Sequence, residues 1–389
     1  MGRPTGAAPA THAWSRSGWR DHCLAVRDRL LASRRFQHWA ATFPLTRPIA
    51  RRRARQLFDL CAGFVYSQVL LACVRLRLFA LLAEGPQTAA ALATRMAVPL
   101  EATRLLLRAA ASLRLVEARS EGRFGLGALG AALLGNPGLA ALIEHHPLFY
   151  SDLRDPVALL CAQGAPKLGD YWDYAGTKER PALSGDRVAA YSALMSASVP
   201  LIANEILDAY RLDRHRCLLD VGGGDGTFAM IAAARAPGLR LILFDLPPVA
   251  ALAQRRFRSA GMAGRATAIG GDFLSEPLPT GADIIALIRV IHDHDDVSAL
   301  DVLRAAARAL PRDGALLLAE PMSGTAGAEP ISDAYFALYL LARGGGKPRT
   351  PAEIERLLKA AGFGRIETVR NSLPILTRVV VARRGDVIC

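Results

Sequence analysis

The chain has 389 residues, half of them hydrophobic and rich in Ala, Leu and Arg, which points to a globular, substantially helical protein with room for two or three domains. Its net charge of +13 is uneven, because residues 1–55 hold twelve Arg and two Asp while the other 334 residues carry only +3. That distribution excludes a nucleic-acid-binding face spread over the whole protein, and part of the arginine content fits a GC-rich genome.

The six cysteines are scattered without CxxC spacing, which argues against a zinc site and favours a reducing cytosol. The first twenty residues lack the apolar core of a signal peptide and read as loose chain. From Asp21 to Arg55 the text is amphipathic and basic, with Phe36, Trp39, Phe43 and Leu45 among Arg34, Arg35, Arg47, Arg51, Arg52, Arg53 and Arg55. Two readings stand: peripheral attachment to an anionic membrane, or a helical extension packing on its own domain or on a second subunit. The longest uncharged apolar run, Leu60 to Val74, is 15 residues, short for a bilayer span and suited to a buried helix.

Residues 56–134 read as a helical domain. A long apolar helix or helix pair covers Leu57–Leu82, short helices follow at Thr88–Met96 and Leu100–Leu113, and a hairpin runs from Leu115 to Leu126. That is a winged-helix order. Its second short helix carries Leu105, Leu106, Leu107 and three alanines, with only Arg104 and Arg108 as main charges. A helix that reads a DNA groove needs a polar face, so dimerisation is the expected role and nucleic acid is not an expected partner. Residues 135–200 form an aromatic-rich helical bridge (Phe149, Tyr150, Tyr171, Trp172, Tyr174, Tyr191) ending in a helix with Met195, and suit a pocket wall between domains.

In residues 201–389 strands and helices alternate. Strand-like runs fall at 217–221, 240–245, 266–270, 283–291 and 315–320, with a last pair near 365–370 and 376–383. Helical patterns fall at 227–236, 248–260, 297–310, 330–342 and 351–361. Such alternation marks a doubly wound parallel α/β sheet. The first strand, Cys217-Leu218-Leu219-Asp220-Val221, empties into Gly222, Gly223, Gly224, Asp225 and Gly226, the pattern of a nucleotide cradle. The dinucleotide fingerprint needs a sixth-place glycine where Thr227 stands, which disfavours NAD. Gly222 and Gly224 after an acidic strand end suit S-adenosylmethionine. Asp245 is placed for the ribose hydroxyls and Asp272 for the adenine amino group, with Phe273 against the base, all at successive strand ends. The segment His292-Asp293-His294-Asp295-Asp296 admits three uses. Its near-contiguous side chains diverge, so no metal is expected; Asp295 or Asp296 suits a helix cap; and His292, with an ordinary pKa near 6.5, suits a base facing the glycine cradle.

The segments DVGGGDG, FDLPPV, GGDF, VIHDHDD and GGGKPRTPAEIERLLKAAGF resemble the caffeate/acetylserotonin/hydroxyindole class of S-adenosylmethionine-dependent O-methyltransferases from about Gln56 onward. The resemblance implies a Rossmann-like seven-stranded methyltransferase domain behind a winged-helix dimerisation domain, a homodimer, and S-adenosylmethionine as cofactor. It makes His292 the general base and Glu320 its acidic neighbour. A second family acid falls on Pro348, leaving His292 at most one of the family's usual two acids, and a Lys common in the family falls on Ile288. Tyr191, Met195, Phe336 and Tyr339 are the expected acceptor wall. The text from Arg35 to Leu76 resembles the carotenoid O-methyltransferases of purple phototrophic bacteria, implying a small lipophilic substrate, the tertiary hydroxyl of an acyclic 1-hydroxycarotenoid. The implied location is cytoplasmic, peripheral on the inner or photosynthetic membrane. A phenolic or polyketide hydroxyl remains the alternative acceptor, and a winged-helix ligand-sensing regulator the alternative from another class.

Overall fold

The computed structural model describes residues 16–163, 166–171 and 185–385, without the side chains of residues 16–18, 170–171, 185–195 and 197. Most of the expected loose tail, Trp172 and Tyr174, and the side chains of Tyr171, Tyr191 and Met195, lie outside that set. The chain divides into two compact units, Met1–Ala72 and Cys73–Cys389.

The first unit holds helices Arg16–Ala32 and Arg34–Thr42 and most of a third, Arg47–Arg75. Ser33 caps the second helix by accepting a hydrogen bond from the Phe36 amide. Phe36, Trp39 and Phe43 fall on one helical stripe, with ring centroids 5.6 and 5.1 Å apart, and no residue of Arg34–Thr42 is buried. The apolar run in the third helix is not the buried helix expected. Leu60 is 82% and Phe64 68% exposed, and burial begins only at Leu71 and Cys73. At 29 residues the helix is also long and apolar enough, by length and composition alone, to cross a bilayer, which corrects the reading of that segment as too short.

In the second unit Arg77 adopts a left-handed conformation and starts the helix Leu78–Ala83. Strand β1 (Gln87–Thr88), helices Ala89–Met96 and Leu100–Ser112, β2 (Val116–Ala118) and β3 (Arg123–Leu126) follow, the strands forming an antiparallel sheet in the order β1-β3-β2. This is the expected helix–helix–hairpin order with one added strand. The helix Leu100–Ser112 buries one stripe (Thr103, Leu107, Ala110) and leaves Leu105 exposed in the single chain.

A seven-stranded sheet carries the rest: β4 (Cys217–Val221), β5 (Arg240–Asp245), β6 (Ala266–Gly270), β7 (Ile284–Ile288), β8 (Ala315–Glu320), β9 (Phe363–Val369) and β10 (Arg378–Arg384). The order is β6-β5-β4-β7-β8-β10-β9, with the first five parallel and β10 antiparallel to both neighbours. Helices cover both faces, so the central strands are apolar apart from Asp220 and Glu320 near their C-terminal ends. Leu219, Val221, Ile285, Leu287, Leu316 and Leu318 pack with Val302, Leu303 and Leu358 on one side. Leu218, Leu241, Leu243, Ile284 and Leu317 pack with Ile206, Phe228 and Phe257 on the other. The expected strand over 283–291 stops at Ile288 because Arg289 turns left-handed, at φ 59°. The expected helix over 330–342 is in part a π-helix, Pro330–Phe336, continued by the α-helix Ala337–Arg343.

The fully buried ring of Phe257 sits beneath the glycine turn, where a Cβ at Gly226 would come 2.8 Å from it. F257A should lower stability by about 3–5 kcal/mol, read as a reduced urea midpoint by circular dichroism.

Candidate active site

The C-terminal ends of the parallel strands carry Asp220, Asp245, Asp272, His292 and Glu320. After β4 the chain turns through Gly222 (φ 68°), Gly224 (φ 62°) and Gly226 (φ 84°), conformations that side-chain-bearing residues rarely adopt. A Cβ at Gly222 would lie 2.9 Å from Val290 and 3.7 Å from the Phe273 ring, so the ends of β4, β6 and β7 converge here. Asp245, at the end of β5, accepts from the Gly224 amide at 2.8 Å and the Leu246 amide at 2.7 Å. A carboxylate has about four lone-pair sites, so these bonds leave acceptor capacity. Asp272 accepts from the Leu274 amide at 3.0 Å and its own amide donates to Glu276, a neighbouring acid not singled out in the sequence.

Asp220 is buried at the base of this turn. Burial, aided by the Asp245 charge, pushes its carboxyl up to about 8. Among the described residues its Oδ2 has no hydrogen-bond partner. A glycine turn with close-approaching backbone, flanking acids and an orphaned buried oxygen fits a ligand rich in donor groups, as S-adenosylmethionine is with its amino and hydroxyl groups.

Beyond β7 a single helical turn, Ile291–Asp293, presents His292, which is 6% exposed. Its Nδ1 contacts Glu320 Oε2 at the end of β8, and its Nε2 lies 2.9 Å from Asp293 Oδ1. The other Glu320 oxygen accepts from the amides of Val290 (3.0 Å) and Ile291 (2.7 Å). Burial opposes a charged ring, but Asp293 and Glu320 outweigh it and raise His292 to about 9. One sequence expectation is thereby corrected, since His292 is not poised near 6.5. Of the family's usual two acids it keeps Glu320 alone, as expected from Pro348, and Asp293 is a second carboxylate from outside that pair. Asp293 was overlooked because it directly follows His292, a spacing that ordinarily sends side chains apart. Burial opposes its charge, but Arg343 at 2.6 Å and His292 hold its carboxyl far below the usual range.

The segment around Pro348 secures this turn by other means. The Lys347 amide donates to the His292 carbonyl at 2.9 Å, and Arg349 donates to the carbonyls of Ile291 and His294, both at 2.8 Å. A Cβ at Gly346 would overlap the His292 carbonyl oxygen, so glycine is required there. Asp295 caps the helix Asp296–Ala309, as one of the two aspartates was expected to.

Phe336, from the π-helix, places its ring 6.3 Å from His292. Tyr339 lies one turn further on and bonds His145 at 3.1 Å. Tyr335, missed in the sequence, stacks on Tyr339 at 5.8 Å and bonds His146 at 3.0 Å, while Phe149, from the expected aromatic bridge, meets both tyrosines edge-on. Burial, with a lesser contribution from His146, pushes His145 down to about 4, and burial raises Tyr335, so the wall is uncharged near neutrality. The doublet His145-His146 was the available signal. Tyr191 and Met195 belong to the helix Gly185–Ala209, but their side chains are outside the described set.

A seven-stranded sheet with an inserted antiparallel strand, a glycine cradle and a buried His between carboxylates defines an S-adenosylmethionine-dependent methyltransferase. The chain belongs to the O-methyltransferase family: an O-methyltransferase domain profile matches residues 151–364, and an O-methyltransferase dimerisation domain profile matches residues 58–136. It is 44% identical over 359 residues to demethylspheroidene O-methyltransferase of Cereibacter sphaeroides, covering 92% of this chain and 94% of that one. It is 33% identical to acetylserotonin O-methyltransferase of Mus musculus, covering 86% and 89%. Among solved structures, mitomycin 7-O-methyltransferase aligns at TM-score 0.70 and 27% identity, covering 87% of this chain and all of that one. The protein is an O-methyltransferase that uses S-adenosylmethionine, and its dimerisation domain supports a homodimer.

The raised His292 fixes a sign. The native state keeps a proton that the unfolded chain releases above about 6.5, so this contribution to stability is complete below that pH and is lost as pH rises through about 9. Thermal midpoints should fall across this window in the parent and fall less in H292Q; parallel curves would contradict the assignment.

Proposed function

We propose that this O-methyltransferase methylates the tertiary hydroxyl of an acyclic 1-hydroxycarotenoid, as in hydroxyneurosporene or demethylspheroidene. The observation that carries the proposal is the 44% identity, over nearly the whole chain, to demethylspheroidene O-methyltransferase. The uncharged aromatic wall of Phe149, Tyr335, Phe336 and Tyr339 beside His292 supports it, because polarisable rings suit an extended apolar polyene. We assign residues 1–55 as a basic extension, 56–134 as the dimerisation domain, 135–200 as linker and pocket wall, and 201–389 as the methyltransferase domain.

S-adenosylmethionine, when bound, supplies a methyl group activated for displacement by its positively charged sulfur. In this proposal Gly222 and Gly224 allow backbone approach, Asp245 holds the ribose, and Asp272 with Phe273 holds the adenine. His292 takes the acceptor proton at Nε2, and Glu320 fixes the ring through Nδ1. A tertiary alcohol, with a pKa of roughly 15–16 like water, is far less acidic than an imidazolium near 9. Full proton transfer before reaction would cost about 9 kcal/mol. His292 therefore receives the proton late, as the new carbon–oxygen bond forms, and the enforced approach of acceptor to methyl group carries much of the acceleration.

The phenolic alternative keeps one supporting observation, since a stacked Tyr335–Tyr339 pair also suits a flat aromatic acceptor. Pigment chromatography of a deletion strain separates the two. Accumulated 1-hydroxycarotenoid is expected, and unchanged pigment would remove the carotenoid proposal. H292A should bind S-adenosylmethionine normally in calorimetry while losing turnover at least about 100-fold, and D245A should chiefly weaken cofactor binding. A loss of cofactor affinity in H292A would contradict its role.

We further propose a cytoplasmic enzyme that docks peripherally on an anionic inner or photosynthetic membrane. Trp39 and Phe43 are 48% and 39% exposed, Leu45 and Ile49 are exposed beside them, and seven arginines lie between Arg34 and Arg55. Exposed aromatics beside arginines are what a headgroup region accepts. The dimer should sediment with vesicles containing phosphatidylglycerol but not with purely zwitterionic ones. High salt should release it, as should W39S/F43S; equal binding to both vesicle types would exclude this surface.

A further inference from the structure

We propose that Asp293 is a displaceable cap on the base: Arg343 holds its carboxylate so that the acceptor hydroxyl can replace it at His292 Nε2. The proposal rests on His292 as base and concerns how that base is made available.

The two carboxylates on His292 are anchored differently. Glu320 cannot withdraw from Nδ1 without abandoning two backbone amides, those of Val290 and Ile291, which its other oxygen accepts. Asp293 Oδ1 is shared between His292 Nε2 at 2.9 Å and Arg343 Nη1 at 2.6 Å. The same guanidinium donates through Nη2 to the Asp293 carbonyl at 3.2 Å, and its side chain is 3% exposed. Leaving Nε2 thus costs Asp293 one hydrogen bond and does not strand a buried charge, the far larger penalty. Nε2 is the side that opens.

Other neighbours leave that choice intact. Phe336 meets the ring from the π-helix and bears no proton. His294 follows Asp293 and is pushed down by burial, while Arg349 is occupied by the carbonyls of Ile291 and His294 and by Asp296. Asp293 and Arg343 together therefore supply what the acid missing at Pro348 would supply, without a permanent claim on the reacting nitrogen.

Protons and bonds balance through the cycle. Before the acceptor binds, the ring carries a proton on both nitrogens. As the hydroxyl replaces Asp293, the Nε2 proton leaves to bulk water. The acceptor oxygen then bonds to the methyl carbon as the carbon–sulfur bond breaks with its electron pair going to sulfur, and the hydroxyl proton passes to Nε2. Asp293 returns to the regenerated imidazolium as the ether departs. Asp293 and Arg343 are positioning residues in this scheme, since neither touches the reacting atoms during transfer.

The test uses the full-length enzyme with 15N-labelled histidine, assigning the His292 ring signals by their loss in H292Q and following them against pH. D293N keeps the shape and removes the charge. Its His292 titration should move down by about one pH unit or more, and the acidic limb of kcat/KM for the acceptor should follow. The plateau should drop roughly tenfold as the imidazolium loses a counter-ion. R343Q removes the competitor for Oδ1, so the limb should move the opposite way, to higher pH; should that variant not fold, D293N alone decides. Cofactor affinity should be unchanged in D293N. An unmoved His292 titration in D293N overturns the proposal. A titration that moves while turnover ignores it leaves the cap standing and overturns His292 as the base.

Discussion

One buried carboxylate holds the turn after β7 against the end of β8. Glu320 closes β8, and its two oxygens meet a ring nitrogen and two backbone amides from the loop that follows the neighbouring strand β7. That loop must fold back sharply to bring three donors to one side chain, and Arg289 makes the bend by taking a conformation unusual for a residue with a side chain. Such strain persists only where surrounding contacts over-determine it, and here they do: Glu320 from one side, Lys347 and Arg349 from the other. Removing the carboxylate would leave two buried amides and a histidine unsatisfied together, a cost well above that of one lost bond.

Sequence patterns carried most of the sheet. β4, β5 and β8 read as apolar runs bounded by turn residues, and these strands lie where the pattern put them because parallel strands covered on both faces leave little other composition. β6 also lies where it was expected, although as the edge strand it is exposed along most of its length. Gly222, Asp245 and Asp272 were legible for a related reason, since each stands at a strand end and strand ends share one edge. What was not legible depends on long-range approach. Arg343 is an ordinary basic residue in a helix's last turn until the chain folds and sets it on Asp293, fifty positions earlier. The pairing of His146 with Tyr335 likewise spans 189 residues. The shift of His292 could not be read from its type, because it is set by Asp293, whose side chain only the fold of the turn brings onto the ring, and by Glu320, 28 residues away.

Burial also separated what periodicity could not. Leu60, Phe64 and Leu105 have the composition of core residues, yet they face outward in the single chain. A dimerisation domain profile covers all three, and exposed apolar side chains are what a subunit interface requires before its partner arrives. Hydrophobicity in a sequence thus records eventual burial, not burial by the same chain.

The placement of β10 governs how the sheet is completed. It follows β9 in the chain but lies between β8 and β9, with Val379, Val380, Val381 and Ala382 buried. During synthesis β8 therefore emerges with an open edge, apolar up to Glu320, and β9 has nothing in the sheet to pair with until β10 has been inserted. The edge that presents Glu320 is closed last, by residues more than fifty positions downstream, and a ribosome pausing in that interval would hold the chain with Glu320 unframed.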